Sequence, residues 1–301
     1  MQNLTIVPYR GFSNGSSVYI SGHAFDSYRL KPPKRKSIIQ NFVQMVKRYS
    51  LKPASFQPIM VHLNGKKYPL VADENGFFKG VFEHEFPVGK HRYFVSAEGN
   101  DDKFSSSVFV SEERKVGVLS DIDDTLLLSY VNQWYKMLWL LIAKNALTRN
   151  PVPQLSTILD MIKDFNHQEL PSDFFYVSNS EWNLYDFLKD FFEENNLPEG
   201  AFSLQRFKTG FRDAVFTPQK KDNHKPESIR FILDFFKNKK FILLGDNGQK
   251  DLEIYAGICQ QYASRIEAVI IRDVGKLKYR RKNKVFEETI RKLQIPVKHI
   301  S

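Results

Sequence analysis

Residues 116–130, VGVLSDIDDTLLLSY, set Asp121, Asp123 and Asp124 within four consecutive positions between two apolar runs. Carboxylates packed that closely repel one another unless a positive charge stands among them. Three further places carry comparable residues. YVSNS brings Ser178 and Asn179, Lys225 opens a helical pattern, and ILLGDNGQKD brings Asp246, Asn247 and Asp251. In an open parallel sheet, ligands bind beyond the carboxyl ends of the strands, so strands ending in these residues deliver them to one crevice. A hard cation among the carboxylates answers the repulsion. Mg²⁺ is the expected cofactor, because it prefers oxygen and takes few protein ligands. Lys225 supplies a second positive charge.

The elements that must position these residues are readable. VGVLS is a short continuous apolar run of the kind buried on both faces of a sheet. DFFYVSNS, FILLGDNG and RIEAVIIRDV resemble it, and helical patterns lie between them at 155–165, 182–195, 225–237 and 251–262. Strands alternating with helices predict an α/β unit with a doubly wound parallel sheet. The first 112 residues differ. SSVYISGHAF, PIMVHLNGKKYPLVADENGFFKGVFEHEF, HRYFVSAEG and KFSSSVFVS are alternating runs with Asn64-Gly65 and Asp73-Glu74-Asn75-Gly76 as turns, which predicts a smaller β-sandwich-like domain. A helix is expected within 31–50. The boundary falls near 112–115, which gives a β-rich unit over 1–112 and a catalytic unit over 113–301 with a small helical cap over 126–172.

In order, these motifs resemble the four motifs of the haloacid dehalogenase superfamily: D-x-D-x-T, Ser or Thr, Lys, and G-D-x-x-x-x-D. The resemblance implies that Asp121 is a nucleophile forming an aspartyl-phosphate and that Asp123 is the general acid and then base. It implies Mg²⁺ held by Asp121, the Asp123 main-chain carbonyl and Asp246, with Asn247 and Asp251 in support. Thr125, Ser178, Asn179 and Lys225 would face the phosphoryl group. Because Asp123 is present, the resemblance points to a phosphatase or phosphotransferase. A narrower likeness covers nearly the whole chain. GVLSDIDDT, YVSNSEWNLYDFL, HKPESIRFIL and ILLGDNGQKDLEIYAGI, with PYRGF and ADENGFFKG upstream, are similar to the conserved-domain, actin-patch-type phosphatidate phosphatases. That family hydrolyses phosphatidate with Mg²⁺, and its motif commonly reads GDSGQ where Asn247 makes GDNGQ here.

Plainer readings compete at several positions. Asp124 suits a helix N-cap, as does Asp251, and Ser178 with Asn179 suits a turn. Trp134, Tyr135, Leu138, Trp139 and Ile142 give a helix face that packs on a sheet or meets acyl chains. The loop from Leu204 to Lys225 carries Arg206 and Arg212, candidates for an anionic head group, with His224 at the rim. Basic runs at 31–36 and 276–284 are solvated or meet anionic lipid.

The totals agree. Over 301 residues the formal charge is +10 and the pI about 9.4, which favours anionic partners: a phospholipid or other phosphomonoester, with peripheral membrane association. No nucleic-acid motif is present, so no such partner is expected. Cys259 is the only cysteine, which excludes an intrachain disulfide and a thiolate metal cluster. Met137 to Ala143, the most apolar stretch, falls short of the roughly 20 residues a membrane span needs, and the N-terminus lacks a signal pattern. A cytoplasmic protein, soluble or peripheral, is expected. Two alternatives stay open: a phosphatase of soluble or protein phosphoesters, and a membrane-binding scaffold with a vestigial site.

Overall fold

The computed structural model describes residues 4–26, 52–98, 102–112, 115–122, 155–169, 171, 173–182, 185–205, 224–248, 250–274 and 280–300. The helix expected within 31–50 lies outside them. The first sheet holds β1 (Leu4–Pro8), β2 (Gly11–Ser13), β3 (Ser17–Asp26), β4 (Lys52–Pro53), β5 (Pro58–Leu63), β6 (Lys66–Val71), β7 (Phe77–Glu83), β8 (Gly89–Ala97) and β9 (Phe104–Val110). Its path runs β1-β3-β2-β9-β8-β5-β6, with β4 and β7 also on β3. Every pairing is antiparallel except β2 with β9. The period-two pattern does the folding: Ile59, Val61 and Leu63 alternate into the core, where Val18, Ile20, Phe78, Tyr93 and Val95 meet them. Asn64 and Gly65 turn the β5–β6 hairpin, with φ of 43° and 83°. Two positive φ values in succession are what a type I′ turn requires.

The second sheet is wholly parallel, with strand order β12-β11-β10-β13-β14-β15. Its strands are β10 (Gly117–Ser120), β11 (Phe174–Glu181), β12 (Gly200–Gln205), β13 (Phe241–Asp246), β14 (Ile266–Arg272) and β15 (Val297–Ile300). The described helices are α1 (Leu155–Asp164), α2 (Tyr185–Glu194), α3 (His224–Phe235), α4 (Asp251–Gln261) and α5 (Arg280–Lys292). Alternate residues feed two cores. Val118, Phe174, Tyr176, Ile242, Leu244 and Ile270 meet Ile158 and Ile162 of α1 and Leu188 and Phe192 of α2. Leu119, Phe175, Leu243, Val269 and Ile271 meet Ile229 and Leu233 of α3, Leu252 and Ile258 of α4 and Phe286 and Ile290 of α5. Helix α1 falls in the range expected to form a cap, yet its apolar side packs on the sheet. Amphipathic spacing at Ile158 and Ile162 made it a core helix, and 126–154 lie outside the described residues.

Chain order places the site. From β10 the chain steps outward to β11 and β12, then returns to β13 on the other side of β10 and continues to β14 and β15. The order reverses between β10 and β13, the place at whose carboxyl edge open parallel sheets bind their ligands.

The two sheets are tied together. Phe12 of β2 lies against Phe175 and Phe235, and Tyr9 lies 4.4 Å from Tyr185, centroid to centroid. The Arg10 N–H donates to the Tyr185 hydroxyl at 2.8 Å. At the opposite end of the parallel strands, Lys239 is fully buried. Its ammonium pairs with Asp173 at 2.6 Å and donates to the carbonyls of Glu112 and Lys115 at 2.7 and 2.6 Å. Ser111 donates to the same Asp173 carboxylate. Glu112 and Lys115, between the two sheets in sequence, are thereby fixed to the residue two before β13.

Breaking such a buried pair from one side leaves an uncompensated charge. Lys239→Met is expected to lower the unfolding free energy by about 3–5 kcal/mol, and the double change Lys239→Met/Asp173→Leu to restore part of it. Denaturant unfolding of the three proteins checks this; a single variant as stable as the parent would show that the pair anchors nothing.

Candidate active site

Asp121 follows β10 directly, and its N–H continues the ladder by donating to Leu244 of β13 at 2.9 Å. Asp246 ends β13 itself. Asp251 begins α4 and Lys225 is the second residue of α3, and both helices start at the carboxyl edge on one face of the sheet. Three segments distant in sequence thus deliver four charged groups to one place, and none is more than 2% exposed. Lys225 Nζ lies 2.9 Å from Asp121 Oδ1 and also donates to Asp251 Oδ1. Asp121, Asp246 and Asp251 each offer an oxygen, all within 4.8 Å of one another.

Glycine and tyrosine make room for this. A Cβ on Gly245 would stand 2.7 Å from both the Asp251 carboxylate and the Tyr255 ring, so only glycine lets α4 approach β13 here. Tyr255 is buried and donates to the Leu244 carbonyl at 2.8 Å. Burial first, and the nearby carboxylates second, raise its pKa well above the usual phenol value, so it stays a neutral donor.

The electrostatics turn on Lys225. Burial alone would lower its pKa, but the carboxylates of Asp121 and Asp251 outweigh burial and raise it above the ordinary lysine value. A raised lysine stabilises the fold at every pH below its unfolded value and loses that contribution only on further alkalisation. Lys225 is therefore a fixed cation at neutral pH. Among the described residues, the group holds three carboxylates and one lysine. With oxygen donors only and this spacing, the site fits a hard divalent cation.

Other expected residues sort differently. Ser178 is fully buried near the end of β11, while Asn179 beside it is exposed. Asn247 is buried, but its amide is used elsewhere: Nδ2 donates to Asp273 at 2.9 Å and Oδ1 accepts from the Val274 N–H at 3.0 Å. Its side chain braces the end of β14 instead of turning to the carboxylates. Asp123, Thr125, Arg206 and Arg212 lie outside the described residues. Arg272 and Asp273, which close β14, were missed. They satisfy the same rule that found Asp246, polar groups at the end of a buried strand, and Arg272 is the register partner of Asp246. Cys259 is buried and its thiol is pushed up to about 12, so it offers no nucleophile.

The family described as the catalytic domain of phosphatidate phosphatase APP1 matches residues 116–273, which hold all four of these charged groups. The chain belongs to this family. Phosphatidate phosphatase APP1 of Saccharomyces cerevisiae is 31% identical over 157 residues, 52% of this chain and 26% of that protein. An uncharacterised protein of Schizosaccharomyces pombe is 28% identical over 174 residues, 57% of this chain and 27% of that one. The chain thus spans about a quarter of the length of these relatives. Among solved structures, a carbohydrate acetylesterase from Xanthomonas citri aligns over 96% of this chain and 66% of its own at 11% identity and a TM-score of 0.37, too loose a likeness to carry fold or chemistry. No described helix is long and apolar enough to cross a membrane.

If the three carboxylates hold a cation, its binding adds stability by linkage, about 2.7 kcal/mol at a hundredfold excess over Kd. Mg²⁺ is expected to raise the melting temperature of the parent, and Asp246→Ala to abolish the rise. An equal rise in both proteins would remove Asp246 from the site.

Proposed function

We propose that the chain is a Mg²⁺-dependent phosphatase that hydrolyses phosphatidate to diacylglycerol and phosphate through an aspartyl-phosphate on Asp121. On this reading residues 113–301 are a haloacid-dehalogenase-like, doubly wound catalytic unit and residues 1–112 a sandwich-like companion. One observation carries the proposal: Lys225 bridges Asp121 and Asp251 beside Asp246, buried at the point where the strand order reverses.

The residues have distinct tasks. The Asp121 carboxylate attacks phosphorus, forming an acyl-phosphate bond as the bond to the glycerol oxygen breaks. Asp123, two residues on, gives its proton to that leaving oxygen and then takes one from the water that attacks the aspartyl-phosphate. Phosphate leaves, and Asp121 is regenerated. Lys225, held charged, offsets part of the negative charge an anionic substrate meets beside Asp121. Ser178 and Asn179 stand at the end of the neighbouring strand, and Ser178 offers a hydroxyl to the phosphoryl oxygens. Asp121, Asp246 and Asp251 would hold the metal, which supplies positive charge opposite the transferring phosphoryl group. The lipid substrate rests on family membership together with the basic charge of the chain, which favours an anionic, peripherally bound membrane surface.

Phosphate release is to be measured from phosphatidate vesicles, a panel of soluble phosphoesters and an aryl phosphate, with and without Mg²⁺. Release from vesicles that stops on chelation is expected, and Asp121→Asn is expected to cut it by at least about a thousandfold with the melting transition retained. Turnover confined to soluble esters would sink the lipid assignment; an active Asp121→Asn would sink the nucleophile.

A further inference from the structure

A cleft of about 690 Å³ separates the first sheet from the edge of the second. Its volume is within the roughly 300–1,000 Å³ of small-molecule sites, which favour the junction between folded units. One wall comes from β2, β3 and β7, the other from β11, β12 and α3. Apolar and polar groups share it: Phe12, Tyr19, Val81, Phe175 and Phe231 line it, the first two stacking at 4.9 Å, with Arg10, Lys79 and Glu227 among the polar ones. Val81 is 52% exposed and Phe231 38% exposed, so large apolar side chains on both walls face water.

Two features connect this cleft with the acidic site. His224 lines it, and the next residue, Lys225, pairs with Asp121; consecutive Cα atoms are about 3.8 Å apart. Gln205, the last residue of β12, also lines it, and in a parallel sheet that end shares an edge with Asp121 and Asp246. One end of the cleft therefore lies toward the carboxyl edge of the sheet that carries the charged site, and the cleft runs back between the sheets.

We propose that this cleft receives an acyl chain of the lipid phosphoester whose phosphate is held at Asp121. The proposal rests on the phosphatidate reading above, and it adds where the substrate's apolar part goes. A chain leaving a phosphate at Asp121 enters past His224 and covers the wet faces of Phe231 and Val81. The first sheet then forms one wall of the substrate site.

Val81 and Glu227 are both exposed on the cleft walls, so tryptophan at each fills the space without disturbing the core. The test compares the parent with Val81→Trp/Glu227→Trp. A fluorescent long-chain fatty acid probes binding. Hydrolysis of long-chain phosphatidate, short-chain phosphatidate and an aryl phosphate probes turnover, and thermal unfolding reports the fold. The double variant is expected to bind the fatty acid at least about tenfold more weakly and to lose a similar factor on long-chain phosphatidate, with the short-chain and aryl esters unchanged. No saturable fatty-acid binding by the parent, or a double variant that binds and hydrolyses long-chain lipid like the parent, overturns the acyl site while leaving a phosphatase. A parent that binds the fatty acid but hydrolyses only soluble esters overturns the proposal and the phosphatidate reading together, since the chain bound would not be a substrate's.

Discussion

A lysine with almost no access to water, held between two equally buried carboxylates, is the constraint around which the catalytic half is arranged. Lys225 cannot sit at 2% exposure without Asp121 and Asp251, and they cannot sit there without it. Each comes from a different segment: the loop after β10, the start of α3 and the start of α4. Satisfying the three charges forces both helices onto one face with their first turns at the carboxyl edge. Gly245 follows from the same demand, since any side chain there would collide with the Asp251 carboxylate. So does Tyr255, whose ring closes the space behind that carboxylate while its hydroxyl finds the Leu244 carbonyl. The fold and the charged site are one set of contacts.

The lower edge of the sheet repeats the device with a different result. Lys239 is as buried as Lys225, but two of its partners are backbone carbonyls, and a single carboxylate balances its charge. Among the described residues, that group matches one lysine with one carboxylate and ties the connection between the sheets. Among the described residues, the upper group has one lysine for three carboxylates. The contrast separates a structural ion pair from a binding site more clearly than burial does, because burial is the same in both.

Much of this was legible in the sequence. β10, β11, β13 and β14 were expected as continuous apolar runs, and they are buried strands because both sheet faces are covered by helices. Asp121, Lys225, Asp246 and Asp251 were expected in one crevice, and they meet there because chain order reverses between β10 and β13. What escaped had weak local signals. GAFSLQ and VKHI, which became β12 and β15, are short edge strands fixed by pairing with neighbours. Residues 280–292 form α5, although only a basic run was read there. Phe286 and Ile290, four apart, carry its buried face, and the surrounding charge masked them. Asn247 was read as a metal neighbour from the motif it resembles; the way its amide turns, to Asp273 and Val274, depends on partners farther along the chain.

That last case shows what a one-residue departure from a motif does physically. Serine at position 247 would carry one hydroxyl on a short stem. Asparagine carries a donor and an acceptor on a longer one, and here both are engaged, with Asp273 and with the Val274 N–H. The Asn247 N–H in turn donates to the Arg272 carbonyl, and the Asp273 N–H to that of Ile300. The loop bearing Asp246 is thereby joined through β14 to β15, so three successive strand ends form one hydrogen-bonded row. A carboxylate on such a loop keeps its place when the charge beside it changes, because its backbone is held from the far side. On the proposed function, in which the site takes in a divalent cation and then a phosphate dianion, that rigidity serves the chemistry: the protein groups are already placed where charge arrives, and little reorganisation is left to oppose it.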